Sequence, residues 1–336
     1  MVFLQTLYKM GKQTINGKAF EFACLKAISD RLNQDGKEAT IRDTKAFQKA
    51  KISFDSLPED KREKYMLAAS TAVKMINGLE PRLIGGEGML LLEIEPDSVA
   101  IGVDGDVRDV LCIRSEEKND RWEIGMSCKH NHDALKHPRI TEGKDFGWDW
   151  INIHCSQNFM DAITPITDSL ISFGKNNVAW KTIPNKHDTY YVPILQAYLD
   201  EIKRMCDVYE DVPSKLLSYF FGSNDFYKVI MQENRKNTIV EGFNMHGTLN
   251  KSCGKTKPFI KVPIIKMPTR LLHAEFKISG NKKSKTTIVL TFDEGWAISM
   301  RLHNKDEIAK PTSLAWDVKL QGLPPTTYVN TRSWYE

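Results

Sequence analysis

Apolar residues recur at helical spacing in the first part of the chain. Between residues 16 and 32, Phe20, Cys24 and Ile28 fall on one side of a helix, which predicts a helix packed against a core. A second helix is predicted over residues 59–76, because a serine and a proline precede it and an Asn-Gly pair follows.

Short strand-like runs begin near residue 89. Apolar or β-branched segments, separated by Asp, Gly and charged residues, predict strands over residues 89–95, 99–103, 110–114 and 121–129. Helical spacing returns over residues 156–173, 192–209, 215–221 and 225–234. Near the C-terminus, residues 285–292 and 296–302 flank Asp-Glu-Gly, which predicts a β-hairpin. The pattern therefore predicts an α+β fold with a mixed sheet.

Composition narrows the class of protein. The chain has 336 residues, 41% hydrophobic and 27% charged, with a net charge of +4, which excludes disordered and collagen-like chains. No apolar run approaches the roughly 18 residues that span a bilayer, and early lysines argue against a secretory signal. We therefore expect a cytoplasmic protein. The small net charge excludes a non-specific coat on nucleic acid but leaves room for a local basic groove.

The six cysteines stand singly in the sequence. None has the Cys-x-x-Cys spacing of a zinc ribbon or a thioredoxin-like redox site. We expect free thiols.

The stretch from residue 105 to 139 carries the candidate chemistry. Residues 110–114 and 121–129 predict two antiparallel strands joined by a charged loop, and this pairing places Asp109 near Ser127. Side chains alternate along a strand, so Ser127 and Lys129 share one face. An acid, a hydroxyl and a lysine therefore converge at the open end of one hairpin.

This convergence suits metal-assisted hydrolysis of a phosphodiester. Mg²⁺ binds hard oxygen ligands such as a carboxylate, water and phosphate, and a neighbouring lysine can orient water or stabilise phosphoryl oxygens. The arrangement is that of the PD-(D/E)xK nuclease core, with Ser127 where a second metal-binding acid is usual. Glu21, in the first predicted helix, is the candidate for the missing acid. Its alternative is a solvent-facing helix glutamate.

Other acids compete with Asp109 for the first metal position. Pro96-Asp97 spells the literal PD but also suits a plain turn, and Asp104 and Asp106 lie in a Gly-Asp turn. Asp109 leads directly into an apolar strand. We therefore assign the metal to Asp109, with Asp106 as the second choice.

The polar segment KHNHDALKHPR follows the second strand. One interpretation is a metal site at Cys128, His130 and His132, but the one-residue gaps fit no usual ligand spacing. A second is a phosphate-gripping turn beside the active site, and a third is a solvated polar loop. The residues that would contact DNA in the second interpretation are Lys129, His130, Asn131, His132, Lys136, His137 and Arg139.

Several segments together resemble the HaeIII family of type II restriction endonucleases. They are GKAFEFACLKAI near the N-terminus, GDVRDVLCIR, EIGMSCKHNHDALKHPR, and GWAISMRLHN from residue 295. SCKHNHDALKH is long and unusual in composition, which makes it more specific than any short motif in the chain. The resemblance implies a Mg²⁺-dependent endonuclease that cuts double-stranded DNA at GGCC, paired in its host with a GGCC methyltransferase.

Reading G·C pairs requires donors for guanine and acceptors for cytosine in the major groove. The predicted C-terminal hairpin has an apolar face and a polar face, and we expect the polar face to meet DNA unless it is simply solvated. Its candidate residues are Arg301, His303 and Asn304, with Lys282, Lys283 and Lys285 on the nearby loop as phosphate contacts. The alternating aromatics Phe146, Trp148 and Trp150 are interpreted as core rather than as base-stacking groups.

The resemblance and the pattern together predict the organisation of the chain. We expect residues 1–155 to form the catalytic core, helices then mixed sheet. Residues 156–336 form a helical and β-hairpin region for DNA recognition, packed on the core as one globular unit. Because the expected target is palindromic, a homodimer on DNA is expected. The alternatives are a structure-selective nuclease, a sequence-specific DNA-binding protein without catalysis, and a histidine-based zinc enzyme.

Overall fold

The computed structural model describes residues 11–95, 106–115, 121–130, 135–140 and 145–335. The chain divides into two compact units, each built from segments that are distant in sequence. The first comprises the described residues within 1–133, 223–265 and 326–336, and the second those within 134–222 and 266–325.

The α-helices are α1 (Lys12–Gln34), α2 (Lys45–Asp55), α3 (Glu59–Leu79), α4 (Pro81–Gly85), α5 (Phe146–Ile151), α6 (Gln157–Lys175), α7 (Val192–Val208) and α8 (Val212–Phe221). The strands are β1 (Ala39–Ile41), β2 (Leu90–Ile94), β3 (Val110–Ser115), β4 (Arg121–His130), β5 (Phe226–Gln232), β6 (Asn237–Phe243), β7 (Leu271–Ser279), β8 (Lys282–Phe292), β9 (Ala297–Asn304), β10 (Leu314–Gly322) and β11 (Tyr328–Ser333).

The first unit is built on a mixed sheet. Its strands run in the order β1-β2-β3-β4-β5-β6-β11, with β1–β2 and β4–β5 parallel and the other neighbours antiparallel. Helix α1 buries its apolar stripe, including Phe20, Cys24 and Ile28, in the same core as Cys112 and Ile124 of the sheet. The α+β fold with a mixed sheet is therefore confirmed.

One predicted helix is wrong. Residues 226–232 form β5, which pairs with β4 on one side and β6 on the other. All but the last residue of this strand are buried, so it lacks the alternation by which half-buried strands are recognised. Helix α3 also continues past the Asn-Gly pair to Leu79. The predicted strand over residues 99–103 lies outside the described residues.

The four-stranded sheet of the second unit contains the expected C-terminal hairpin. Its order is β10-β9-β8-β7, antiparallel throughout. The β8–β9 turn needs Gly295, whose φ is +90°, a value that favours glycine. The apolar residues Ile298, Met300 and Leu302 are buried. The opposite face of the hairpin is therefore its polar face, as predicted.

The aromatic alternation reflects a helix rather than a strand. Phe146 and Trp150 lie four residues apart in α5 and are buried, whereas Trp148 is half exposed and stacks on His154. The core prediction therefore holds for the outer two aromatics and is wrong for the middle one, because a helix, not a strand, sets which side chains point inward.

The compact units do not follow the predicted boundary at residue 155. Residues 134–155 belong to the second unit, and residues 223–265 and 326–336 return to the first. The reason is backbone pairing, because β5, β6 and β11 complete the sheet that β4 would otherwise leave with an open edge. The functional assignment of the two parts stays a prediction.

The fully buried Glu80, between α3 and α4, makes stability depend on pH. Tyr227 donates a hydrogen bond to its carboxylate at 2.7 Å, and Asn250 N–H donates another. Burial nevertheless raises the pKa of Glu80 to about 7 from its ordinary 4.5. The pKa of Glu80 is therefore higher in the folded chain than in the unfolded chain. The protonated carboxyl stabilises the fold at low pH, and this stabilisation is lost as the pH rises between those two values.

We expect Glu80→Gln to remove this dependence. Between pH 4.5 and 8 the wild-type free energy of unfolding should fall relative to the variant by about 3 kcal/mol, at 1.36 kcal/mol for each pKa unit. Urea unfolding of both proteins across this range measures the difference. A difference that stays constant with pH would show that Glu80 titrates alike in the folded and unfolded chains.

Candidate active site

The β3–β4 hairpin brings Asp109, Ser127 and Lys129 together. Val110 pairs with Met126, so the residues that flank this pair, Asp109 and Ser127, face each other. One oxygen of Asp109 lies 3.5 Å from Ser127 Oγ and 3.3 Å from Lys129 Nζ. The same oxygen accepts a hydrogen bond from the Cys128 N–H at 2.7 Å. The three side chains therefore converge at one end of the hairpin, as the strand pairing predicted.

Helix α1 carries Glu21 to this group of residues. The Glu21 side chain is buried rather than solvent-facing, and Lys18, one turn earlier, donates to it at 3.0 Å. Burial, followed by the negative charge of Asp109, raises the pKa of Glu21 to about 8, against the opposing effects of Lys18 and Lys129. Glu21 and Asp109 therefore share one electrostatic environment, although they come from a helix and a strand far apart in sequence.

Lys129 keeps its proton in this environment. Burial alone would lower its pKa, but the carboxylates of Asp109 and Glu21 outweigh burial and raise it. A partly buried ammonium therefore stands beside two acids and can donate to a further anion.

The donors present fit a magnesium ion. Carboxylate oxygens of Asp109 and Glu21 and the hydroxyl of Ser127 are the hard ligands that Mg²⁺ prefers. The mutual repulsion that contributes to the raised pKa of Glu21 is what a divalent cation between two acids would relieve. Within the described ranges no cluster of three or more His, Cys, Asp or Glu residues is arranged for a metal.

Asp106 belongs to a different network. Arg108 Nε donates to its carboxylate at 2.8 Å, Asn224 adds a hydrogen bond at 3.2 Å, and Arg108 also binds Glu123 at 2.6 Å. The structure therefore engages Asp106 in an arginine-centred ion pair rather than bringing it to Asp109. Asp97 and Asp104 lie outside the described residues.

His130, at the end of β4, packs against neighbouring side chains rather than pointing into solvent. Its ring stacks on Tyr65 at 5.4 Å between centroids, its Nε2 lies 3.2 Å from Glu233, and burial lowers its pKa. The neighbouring Cys128 thiol has its pKa raised by a hydrogen bond to Cys24 and by burial, which does not favour a zinc thiolate. Asn131 and His132 lie outside the described residues.

Lys136 and Arg139 lie in the second unit. Lys136 Nζ stands 3.8 Å from the centre of the Tyr219 ring, a cation–π geometry. Arg139 donates to Asp306 at 3.0 Å, with both side chains partly exposed. Lys282, Lys283 and Lys285 are exposed as well. They lie in strand β8 rather than on the predicted loop, because the pairing with β7 already includes Lys282. Lys285 pairs with Asp188 at 2.7 Å.

The polar face of β9 carries the candidate base-reading residues. Arg301 is exposed and bonds Asp317 of β10 at 3.0 Å. Asn304 accepts a hydrogen bond from the Tyr191 hydroxyl at 3.2 Å. His303 is half-buried, and burial followed by the nearby Arg301 charge lowers its pKa. His137 Nδ1 lies 3.6 Å from Asp317 on this face.

Two residues at these sites escaped the sequence analysis. Lys18 forms an ion pair with Glu21. The sequence does indicate this pair, because a lysine and a glutamate three residues apart in a helix lie on the same face. Asp317 collects the basic groups around Arg301. Nothing in the sequence near residue 317 marks it, since its neighbours come from strands and loops far along the chain.

The chain is similar to known proteins of one family. Residues 17–324 match the family model of the HaeIII restriction endonuclease. The chain is 38% identical over 326 residues to the type II restriction enzyme HaeIII of Haemophilus aegyptius, covering 97% of this chain and 99% of that protein. No solved structure matches.

A partly buried ammonium beside paired acids is the kind of site found in metal-dependent nucleases. The chain belongs to the HaeIII restriction endonuclease family. It is a type II restriction endonuclease, a site-specific deoxyribonuclease that acts on double-stranded DNA. At 38% identity, it and the Haemophilus enzyme are distinct members of one family. In the described part of the chain, no helix has both the length and the apolar character needed to cross a membrane.

Proposed function

We propose that the enzyme cleaves double-stranded DNA at GGCC by Mg²⁺-assisted hydrolysis at Asp109, Glu21 and Lys129. The observation that carries this proposal is the ion pair between Lys129 and Asp109 at 3.3 Å. The charges of both residues also shift the pKa of the buried Glu21. The family relationship supports the reaction class, and the GGCC site is what the resemblance to the HaeIII family implies.

Each residue has a distinct task in this proposal. Asp109 and Glu21 hold the magnesium ion, which when bound acidifies water and neutralises charge on the phosphate. Ser127 occupies the position of the usual second acid and keeps its hydroxyl against Asp109, while Glu21 supplies the missing carboxylate. Lys129, protonated and fixed by Asp109, donates to a phosphoryl oxygen and orients the attacking water. The ion pair of Asp106 with Arg108 favours Asp109 as the principal ligand.

This arrangement of residues makes the first unit a PD-(D/E)xK-like catalytic core. The elements required are a helix that carries a glutamate and two adjacent strands that carry an acid and a lysine, and α1, β3 and β4 supply them in that order along the chain. The second unit is proposed to recognise DNA.

The proposed DNA contacts fall into two groups by their chemistry. Arg301 and His303 read bases from the polar face of β9, and Asn304 does so from the end of that strand. The remaining residues position the phosphate backbone and carry no sequence information themselves. These are His130, Asn131, His132, Lys136, His137, Arg139, Lys282, Lys283 and Lys285, of which Asn131 and His132 lie outside the described residues.

The palindromic site implies further partners. Two copies of the enzyme related by a two-fold axis match the symmetry of GGCC, so we propose a homodimer on DNA. A methyltransferase of the same specificity protects host sites without needing to touch this enzyme. Because its substrate is DNA, we expect the enzyme to act in the cytoplasm.

Plasmid digestion followed by sequencing of the fragment ends tests the proposal. We expect discrete fragments in Mg²⁺, none with chelator, and ends that all map to GGCC. Cleavage of branched DNA alone would favour a structure-selective nuclease, and binding without cleavage would favour a non-catalytic reader. Rescue of the chelated enzyme by zinc but not by magnesium would contradict the metal assignment.

A further inference from the structure

Arg301 and Asp317 face each other across the β9–β10 pair of the second unit. The strand register places Arg301 directly opposite Asp317 and Ser299 opposite Lys319. These residues lie on the side of the sheet away from the buried Met300. The pair therefore lies on the face of these two strands that carries the exposed Arg301 side chain.

Asp317 is an internal anion surrounded by basic groups. Its carboxylate lies 3.0 Å from Arg301, 3.6 Å from His137 and 3.8 Å from Lys319. The Asp317 side chain is only 11% exposed, whereas the Arg301 side chain is 54% exposed. The acid is therefore covered, and the guanidinium that it holds remains open to solvent.

This arrangement suits recognition of guanine. A guanidinium fork donates two hydrogen bonds to guanine O6 and N7 only when its plane is correctly oriented. A free arginine has many rotamers, and ordering it on binding reduces affinity. A carboxylate that already fixes the guanidinium removes much of that cost. A pair of antiparallel strands also fits the major groove, where these guanine atoms are displayed.

Stability alone does not account for the pair. An ion pair whose arginine is half exposed to water contributes little to folding. Three basic groups around one acid instead leave a net positive face, as a DNA-contacting surface requires.

We propose that Asp317 is a positioning residue that orients Arg301 to read guanine in one of the two G·C positions of each half-site. The inference rests on the proposed function as a sequence-specific endonuclease. It adds a residue that sets specificity and assigns Arg301 to a base rather than to a phosphate.

Competition binding with the metal left out measures this directly. Duplexes carry the site that end sequencing gives. For GGCC the test uses the two palindromic variants in which guanine becomes adenine at one position of each half-site, AGCT and GATC. Asp317→Asn keeps the shape of the side chain and removes its charge, and Arg301→Lys keeps the charge and removes the fork. Glu307→Gln is the matched control, because it breaks an exposed ion pair with Lys181 in the same unit.

At one position of the half-site, we expect both variants to lose about 10- to 100-fold of the preference for guanine over adenine. At the other position they should keep this preference. The salt dependence of binding should stay as in wild type, and Glu307→Gln should behave as wild type throughout. Thermal unfolding of each variant confirms that it is folded.

Three results would overturn the inference. The first is unchanged discrimination in both variants. The second is uniform weakening on all duplexes, which marks a phosphate contact because phosphates carry no sequence information. The third is a sequenced site that contains no G·C pair. Wild-type enzyme that cuts a G·C-containing site other than GGCC would contradict the proposed target and leave this test intact, because the duplexes follow the sequenced site.

Discussion

Replacing Lys129 by methionine should abolish DNA cleavage and leave DNA binding close to that of wild type. The Lys129 ammonium is held 3.3 Å from Asp109 and keeps its proton because two carboxylates surround it. Its loss removes the donor that stabilises charge on the phosphoryl oxygens, which lowers the cleavage rate by about 10³-fold. Methionine has a similar length and tolerates burial, so the hairpin should stay folded. Single-turnover cleavage of supercoiled plasmid measures the rate, and a gel shift without metal measures binding.

Lys26→Met is the control for this variant. It also removes one lysine charge from the first unit, but Lys26 pairs with the partly exposed Asp30 on α1. We expect its cleavage rate to equal that of wild type. Lys129→Met that still cuts at the wild-type rate would show that this lysine is only a counterion for Asp109. Loss of binding together with cleavage would show that it grips DNA rather than acting on the scissile phosphate.

The parts of this site that the sequence predicted are the local ones. Asp109, Ser127 and Lys129 lie on one hairpin, and alternation along two strands is enough to bring them together. The β8–β9 hairpin follows from the same kind of pattern, because a turn sequence and two alternating runs specify the pairing.

The remaining features depend on contacts between distant segments. Nothing in the local pattern shows that Glu21 is buried, since this depends on how α1 packs against the sheet. Strand β5 was mistaken for a helix because both of its faces are covered, which erases the period of two. Asp317 gains its role only from Arg301, His137 and Lys319, which the folded chain gathers around it.

Asp109→Asn should lower cleavage by roughly 10³-fold, because a metal ligand loses its charge and metal-ion stabilisation is worth several kcal/mol. Asparagine keeps the oxygen that accepts from the Cys128 N–H, so the hairpin end should retain its shape. The apparent Mg²⁺ concentration for half-maximal cleavage should also rise. Asp106→Asn is the matched comparison. Asp106 lies only three residues before Asp109 in the sequence, yet its carboxylate accepts a hydrogen bond from Arg108.

We expect Asp106→Asn to cleave within about tenfold of wild type, with some loss of thermal stability because Arg108 loses a partner while keeping Glu123. Titrating Mg²⁺ against the cleavage rate of wild type and both variants separates the two acids. A metal requirement that moves with Asp106→Asn and not with Asp109→Asn would transfer the ligand role to the earlier acid. Equal losses in both variants would mean that the arginine network and the hairpin end act as one site. The pairing of Asp106 with Arg108 and the place of Asp109 beside Lys129 favour a metal requirement that changes in Asp109→Asn and not in Asp106→Asn.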